Sequence, residues 1–154
     1  MHSDIQEFLK DWKQIRGKTL DFLQTMPQEK MTWRPHELLG TFGMQIRHIG
    51  KSQEAYIKGI KSGKIDFSDK KFDPEIEKSK EKALLHLKKL DEELIKTVSD
   101  ANPEKEIIFI DGVLGELHIP LRTVLSYLTD HEYYHQGIFT CYGRLAGLGK
   151  FLFM

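Results

Sequence analysis

Apolar positions recur along this chain at spacings of three and four residues in four separate stretches, which is the period of an amphipathic helix. The first stretch carries Ile5, Phe8, Leu9, Trp12, Ile15, Arg16, Leu20 and Leu23, with Ser3 and Gln6 placed for a capping box. A connection from Met26-Pro27 to Pro35 follows, in which Trp33 and Pro35 are expected to seal one end of a core. A second helix is predicted from about Thr41 to Lys61 and ended by Ser62-Gly63. Its main stripe is Phe42, Ile46, Ile49, Tyr56, Ile57 and Ile60. Beside it runs a line of Met44, His48, Ser52, Ala55 and Gly59, whose small members predict the close approach of another helix.

The polar segment Lys64 to Phe72 is expected to be a loop. Asp73-Pro74-Glu75 then offers an N-cap, a first-turn proline and an acid at the positive end of a third helix. That helix carries Ile76, Ala83, Leu84, Leu87, Leu90, Leu94, Ile95 and Val98, and His86 falls off its stripe toward solvent. Ser99 to Pro103 breaks the pattern. Ile107 to Ile110 and Val113 to Ile119 predict two strands joined at Asp111-Gly112 by a two-residue hairpin turn, and Pro120 suits the first turn of a last helix. The stripe of that helix is Leu121, Val124, Leu125, Leu128, Ile138, Tyr142 and Leu145. The expectation is an all-α, four-helix bundle over residues 1–154 as one domain, with a small β-hairpin inserted before the last helix. The apolar tail Phe151-Leu152-Phe153-Met154 is expected to fold back or to meet a second subunit.

Composition narrows the function classes. Lys plus Arg and Asp plus Glu number 23 each in 154 residues, so no basic excess points to nucleic acid. The lysines between Lys78 and Lys89 are interleaved with acids and describe a solvated helix face. No apolar run suggests a signal peptide or reaches a membrane span. The single cysteine, Cys141, fits a reducing compartment and is expected to be a small buried hydrophobe, so a cytoplasmic protein is expected.

The chemistry concentrates in His131-Glu132-Tyr133-Tyr134-His135. Two histidines four residues apart project from one face of a helix, one turn above the other, and can reach a single ion. Both continue the buried stripe, and buried imidazoles need partners. The pattern also matches the zincin motif H-E-x-x-H, with Glu132 as the base of a hydrolase. Zincins draw their third ligand from downstream, however, and residues 136–154 contain no His, Asp or Glu. The third ligand must come from His2, His36, His48, His86, His118 or a carboxylate. Only His48 lies within a regular helix near a core-facing line.

These features resemble the DinB/YfiT-like superfamily of damage-inducible-type metalloproteins. The resemblance is carried, in order, by Trp33-Arg34-Pro35, Gln45-Ile46-Arg47-His48-Ile49, His131 to Gly137 and Arg144-Leu145, and covers nearly the whole chain. It implies a four-helix bundle, often a homodimer, with His48, His131 and His135 around a zinc- or nickel-like ion. It further implies a metal-dependent thiol transferase or isomerase using a low-molecular-weight thiol of the bacillithiol, mycothiol or glutathione type, and the expectation is a transferase acting on small electrophiles. Ile138 departs from the polar Gln of many relatives. Glu132 is the nearest candidate base, or else orients an imidazole or pairs with a cation, and Arg144 is a candidate for an anionic cosubstrate. The rival expectation is a non-catalytic protein stabilised by its metal or docking a partner through its tail.

Overall fold

The computed structural model describes residues 1–149, so expectations about the tail at 151–154 lie outside the described residues. Four helices are present, α1 (Ser3–Thr25), α2 (Phe42–Ser62), α3 (Lys80–Val98) and α4 (Leu121–Leu145), with strands β1 (Lys64–Ile65), β2 (Glu106–Asp111) and β3 (Gly115–Pro120). Helices α1 and α2 each pack against both α3 and α4, so α1 and α2 stand diagonally across a four-helix bundle. The apolar stripes meet at its centre. Ile5, Leu23, Phe42, Ile46, Ile49, Leu87, Leu94, Val124, Leu128 and Phe139 are all buried there, and each such side chain contributes roughly 1.5–3 kcal/mol. One end is closed by aromatic rings: Phe139 lies 6.0 Å from Phe22 and 5.5 Å from Phe42, and Trp33 meets Tyr142 edge-on at 6.2 Å. No helix among the described residues is long and apolar enough to cross a membrane.

Several boundaries differ from the sequence expectation for local reasons. The cap of α1 is His2, whose Nδ1 accepts the Asp4 N–H at 3.3 Å, and Ser3 is already helical. Asp73 caps a single 3₁₀ turn, Pro74–Glu77, while Ser79 sits extended and caps α3 by accepting the Lys82 N–H at 3.2 Å. Two caps six residues apart make two elements where one was predicted. The hairpin turn is longer than two residues, because Asp111 pairs with Gly115. The Asp111 carboxylate accepts the N–H groups of Val113 and Leu114 at 2.7 and 2.6 Å, and Gly115 takes φ 80°.

The predicted loop after α2 begins as a strand. Gly63, at φ 91°, ends the helix, and Lys64-Ile65 then pairs in parallel with Ile108-Phe109, making a three-stranded sheet. Ile65 is buried against Gly59, where an added Cβ would stand 2.1 Å from Ile65 Cγ1 and 2.6 Å from its Cα. The small-residue line of α2 therefore admits a strand where a helix was expected. Leu145, placed on the α4 stripe, is exposed, and so are Ile95 on α3 and Cys141, which the sequence placed in the core.

Candidate metal centre

His131 and His135 stand one turn apart on α4, and the neighbouring α2 brings His48 against them. The Nε2 atoms of His48 and His131 are 3.2 Å apart. Ring centroids are separated by 5.2 Å for His48–His131, 4.8 Å for His48–His135 and 4.6 Å for His131–His135. One nitrogen from each ring can be chosen so that all three lie within 4.8 Å of one another, a grouping that could hold one ion.

The environment keeps these rings neutral. Burial, then the neighbouring His48, holds His131 down to about 4. Burial, then His131 and His48, holds His135 down to about 3. His48 is lowered by burial of its ring and by the positive charges of Arg47 and Lys70. Neutral imidazole is the form that donates to a metal. His135 Nδ1 is buried and has no hydrogen-bond partner among the described residues, a state that costs about 1–3 kcal/mol. Three neutral nitrogens, with no thiol or carboxylate in the cluster, fit Zn²⁺ or Ni²⁺ better than a hard cation.

A pH dependence follows for the metal-free protein. The unfolded imidazoles titrate near 6.5 and the folded ones lower, so the unfolded state binds more protons below about pH 6.5. Stability should fall as pH drops from about 6.5 toward the folded values of about 4 and about 3. Thermal melts in chelator from neutral to mildly acid pH check this, with a shallower fall expected for His135→Ala; identical slopes would mean that the ring is hydrated in the fold.

The triad lies at an open cavity of about 550 Å³, also lined by Gly40, Met44, Gln45, Arg47, Tyr134 and Ile138. Ile138 thus forms a wall of the site. Tyr142 is turned inward and donates its hydroxyl to Gly40 O at 2.6 Å, whereas Tyr133 and Tyr134 are exposed.

Glu132 is not brought to the triad. One residue along a helix is a turn of about 100°, and this carboxylate is buried facing α1, where it accepts Arg16 Nε at 3.0 Å, Arg16 Nη2 at 3.3 Å and the Thr19 hydroxyl at 2.5 Å. Arg16 also donates to Gln53 Oε1 at 2.9 Å and lies 3.4 Å from Asp91 Oδ1, which accepts from Trp12 Nε1 and Gln53 Nε2 at 3.1 and 3.0 Å. Gln136 Nε2 donates to Ile15 O at 2.7 Å and to Thr19 at 3.1 Å. All four helices contribute to this polar core. Its one sequence signal was Arg16 lying on an apolar stripe. Of the alternatives for Glu132, pairing with a cation describes its contacts.

Arg144 is exposed near the C-terminal end of α4 and does not line the cavity over the triad. The other histidines are engaged elsewhere. His36 Nδ1 accepts the Leu38 N–H at 3.1 Å, and His118 lies between Glu106 and Glu116 on the sheet at 3.0 and 2.9 Å. His86 is half-buried rather than solvent-facing, with Nε2 3.5 Å from Glu54 and its ring against Gly50.

Compared with known protein families, residues 1–152 match the DinB family. The chain belongs to the DinB family. Solved structures carry the same fold: a DinB-like protein from Bacillus cereus has a TM-score of 0.75 at 19% identity, covering 92% of each chain. A DinB-like protein from Bacillus subtilis gives 0.71 at 19% identity, again covering 92% of each. TT2238, described as a four-helix bundle protein, gives 0.70 at 19% identity over 89% of this chain and 98% of its own. No curated protein matches the sequence. The histidine cluster thus sits in a DinB-family bundle with α2 and α4 as its walls.

Proposed function

We propose that this DinB-family protein is a metal-dependent transferase that joins a low-molecular-weight thiol to a small electrophile, using Zn²⁺ or Ni²⁺ held by His48, His131 and His135. The observation that carries the reading is the convergence of three neutral imidazoles at the edge of an open cavity, one of them with a buried nitrogen that has no partner among the described residues. When bound, such an ion supplies Lewis acidity that lowers the pKa of a thiol at a position the protein leaves open.

The chain's own residues do the rest. The three rings offer lone pairs and no negative charge, so the site keeps a net positive charge when loaded and favours the ionised form of a thiol. Burial of His135 against Phe139, with ring centroids 6.3 Å apart, fixes one ligand in a dry wall, while His48, exposed as a residue though its ring is partly covered, stands at the solvent side. Met44, Tyr134 and Ile138 give the cavity an apolar lining suited to the carbon skeleton of an electrophile. As the sulfur bonds to the electrophilic carbon, that carbon's bond to its leaving group breaks and the group departs with the bonding electrons, while the thiol proton passes to water at the open mouth. A base near the site is not required, and Glu132, locked to Arg16, does not supply one.

A purely structural ion would be expected in a closed shell of four protein ligands. Here three ligands converge beside a cavity, which favours the catalytic reading over the metal-stabilised one. The test is metal content by plasma mass spectrometry on untagged protein, wild type beside His131→Ala. About one Zn or Ni per chain, lost in the variant, is expected. Wild type that takes up neither metal when incubated with it overturns the proposal.

A further inference from the structure

His48 and Arg47 also border a second cavity, of about 220 Å³, walled by Ala55, Phe67 and Phe72 and flanked by Lys51, Asp69 and Lys70. The segment at 66–72 that forms its outer wall is shaped by two side-chain turns. Asp66 Oδ1 accepts the Ser68 N–H and Asp69 Oδ1 the Lys71 N–H, each at 3.0 Å. The Asp69 carboxylate also ties the segment down on α2 through Lys51 at 3.1 Å and Lys58 at 3.3 Å. The Phe72 ring lies 4.1 Å from the Arg47 guanidinium, which donates to Glu77 at 2.9 Å.

These contacts assign the charges around the cavity. Asp69 is shared by two lysines, and Arg47 is answered by Glu77. Lys70 has no hydrogen bond or ion pair among the described residues, and it lines the same cavity as His48. Its backbone is carried on the Asp69 turn beside it, and its side chain is exposed. A cation with no partner among the described residues, at an apolar-walled cavity that touches one of the three histidines, is a site for an anion on a carbon frame.

We propose that Lys70 is a specificity-determining residue that binds a carboxylate of the thiol cosubstrate lodged in this second cavity. The inference rests on the proposed thiol-transferase reading, and deepens it by setting the charge class of the thiol. Asp69 and Glu77 do not oppose such a group, because their charges are already met. Phe67, Phe72 and Ala55 would pack on its methylene chain.

The test compares 3-mercaptopropionate with cysteamine, two thiols of equal chain length and opposite charge. Their binding to Co²⁺-loaded wild type, Lys70→Gln and Lys70→Glu is followed by the thiolate-to-cobalt absorption band. Wild type should prefer 3-mercaptopropionate by about fivefold, the scale of one partly exposed charge pair. Lys70→Gln should lose the preference and Lys70→Glu reverse it. The same pair is titrated into metal-free protein and followed by amide NMR shifts at 66–72, where a larger response to the acid than to the amine, lost in Lys70→Gln, is expected. Equal responses to the two thiols in wild type, or a preference that survives both substitutions, overturn the anion site. Absence of cobalt uptake defeats the metal-dependent reading instead, and the NMR comparison then decides the anion site alone.

Discussion

Replacing Glu132 with alanine is expected to lower the free energy of unfolding by about 3–5 kcal/mol, the loss typical when one partner of a buried ion pair is removed. The magnitude follows from what stays behind. Arg16 is 2% exposed and Glu132 1% exposed, so the guanidinium cannot recover its hydration when the carboxylate goes. Thr19 loses the acceptor of its hydroxyl as well. Arg16 Nη1 already lacks a hydrogen bond among the described residues and keeps only the ion pair to Asp91. For a chain of this size the loss corresponds to a fall in Tm on the order of 10 °C. Thermal and urea melts of Glu132→Ala beside Arg16→Met and the double variant Arg16→Met/Glu132→Leu measure it. The double variant should cost much less than the sum of the single changes, because it removes both charges together. A Glu132→Ala protein as stable as wild type but devoid of transferase activity would return Glu132 to the role of a base.

Gly43→Ala should be the second severe change, at about 3 kcal/mol, the upper part of the overpacking range. A Cβ at Gly43 would stand 1.8 Å from the Glu77 carbonyl oxygen, 2.7 Å from its carbon and 2.8 Å from Met31 O. These are backbone atoms, so no rotamer change relieves them. The Gly43 N–H is also held by Met31 O at 2.8 Å, which fixes the start of α2 against the connection after α1. Alanine gains about 1 kcal/mol over glycine in helix propensity, too little to offset the clash. To fit the methyl group, either the turn at Pro74–Glu77 or the first turn of α2 must shift, and Arg47, paired with Glu77, shifts with it. The check is a urea denaturation curve with the metal content of the folded fraction. Unchanged stability would show that the turn moves without strain.

The bundle was legible because its helices announce themselves by a local period, and that period also placed His131 and His135 on one face. His48 emerged by elimination among histidines and from the motif order. Features that depend on pairing across the chain were not legible. A two-residue strand at Lys64-Ile65 has no periodicity of its own and exists because Ile108 and Phe109 lie beside it. Gly59 signals a place of close approach, but a glycine does not say what approaches. Arg16 on an apolar stripe and Glu132 beside His131 each have a common local explanation. Only their contact across α1 and α4 gives both a shared role. His86 lies off the leucine stripe yet is half-buried, because the stripe of α3 is wider than its leucines suggest, with Gly50 leaving room for an imidazole on its margin.

The polar core also bears on the order in which this protein assembles. Arg16 and Glu132 are separated by 116 positions, and Ile15 and Gln136 by 121, so their bonds close almost the largest loops the chain offers. Loop closure of that span carries an entropic penalty that nearby helices and hairpins do not face. The pairing of α2 with α3 and the β2–β3 hairpin can form first, and the seam between the first and last helices is sealed late. The meeting of His48 with His131 spans 83 positions, so the histidine cluster is itself a long-range pairing that carries the same kind of penalty.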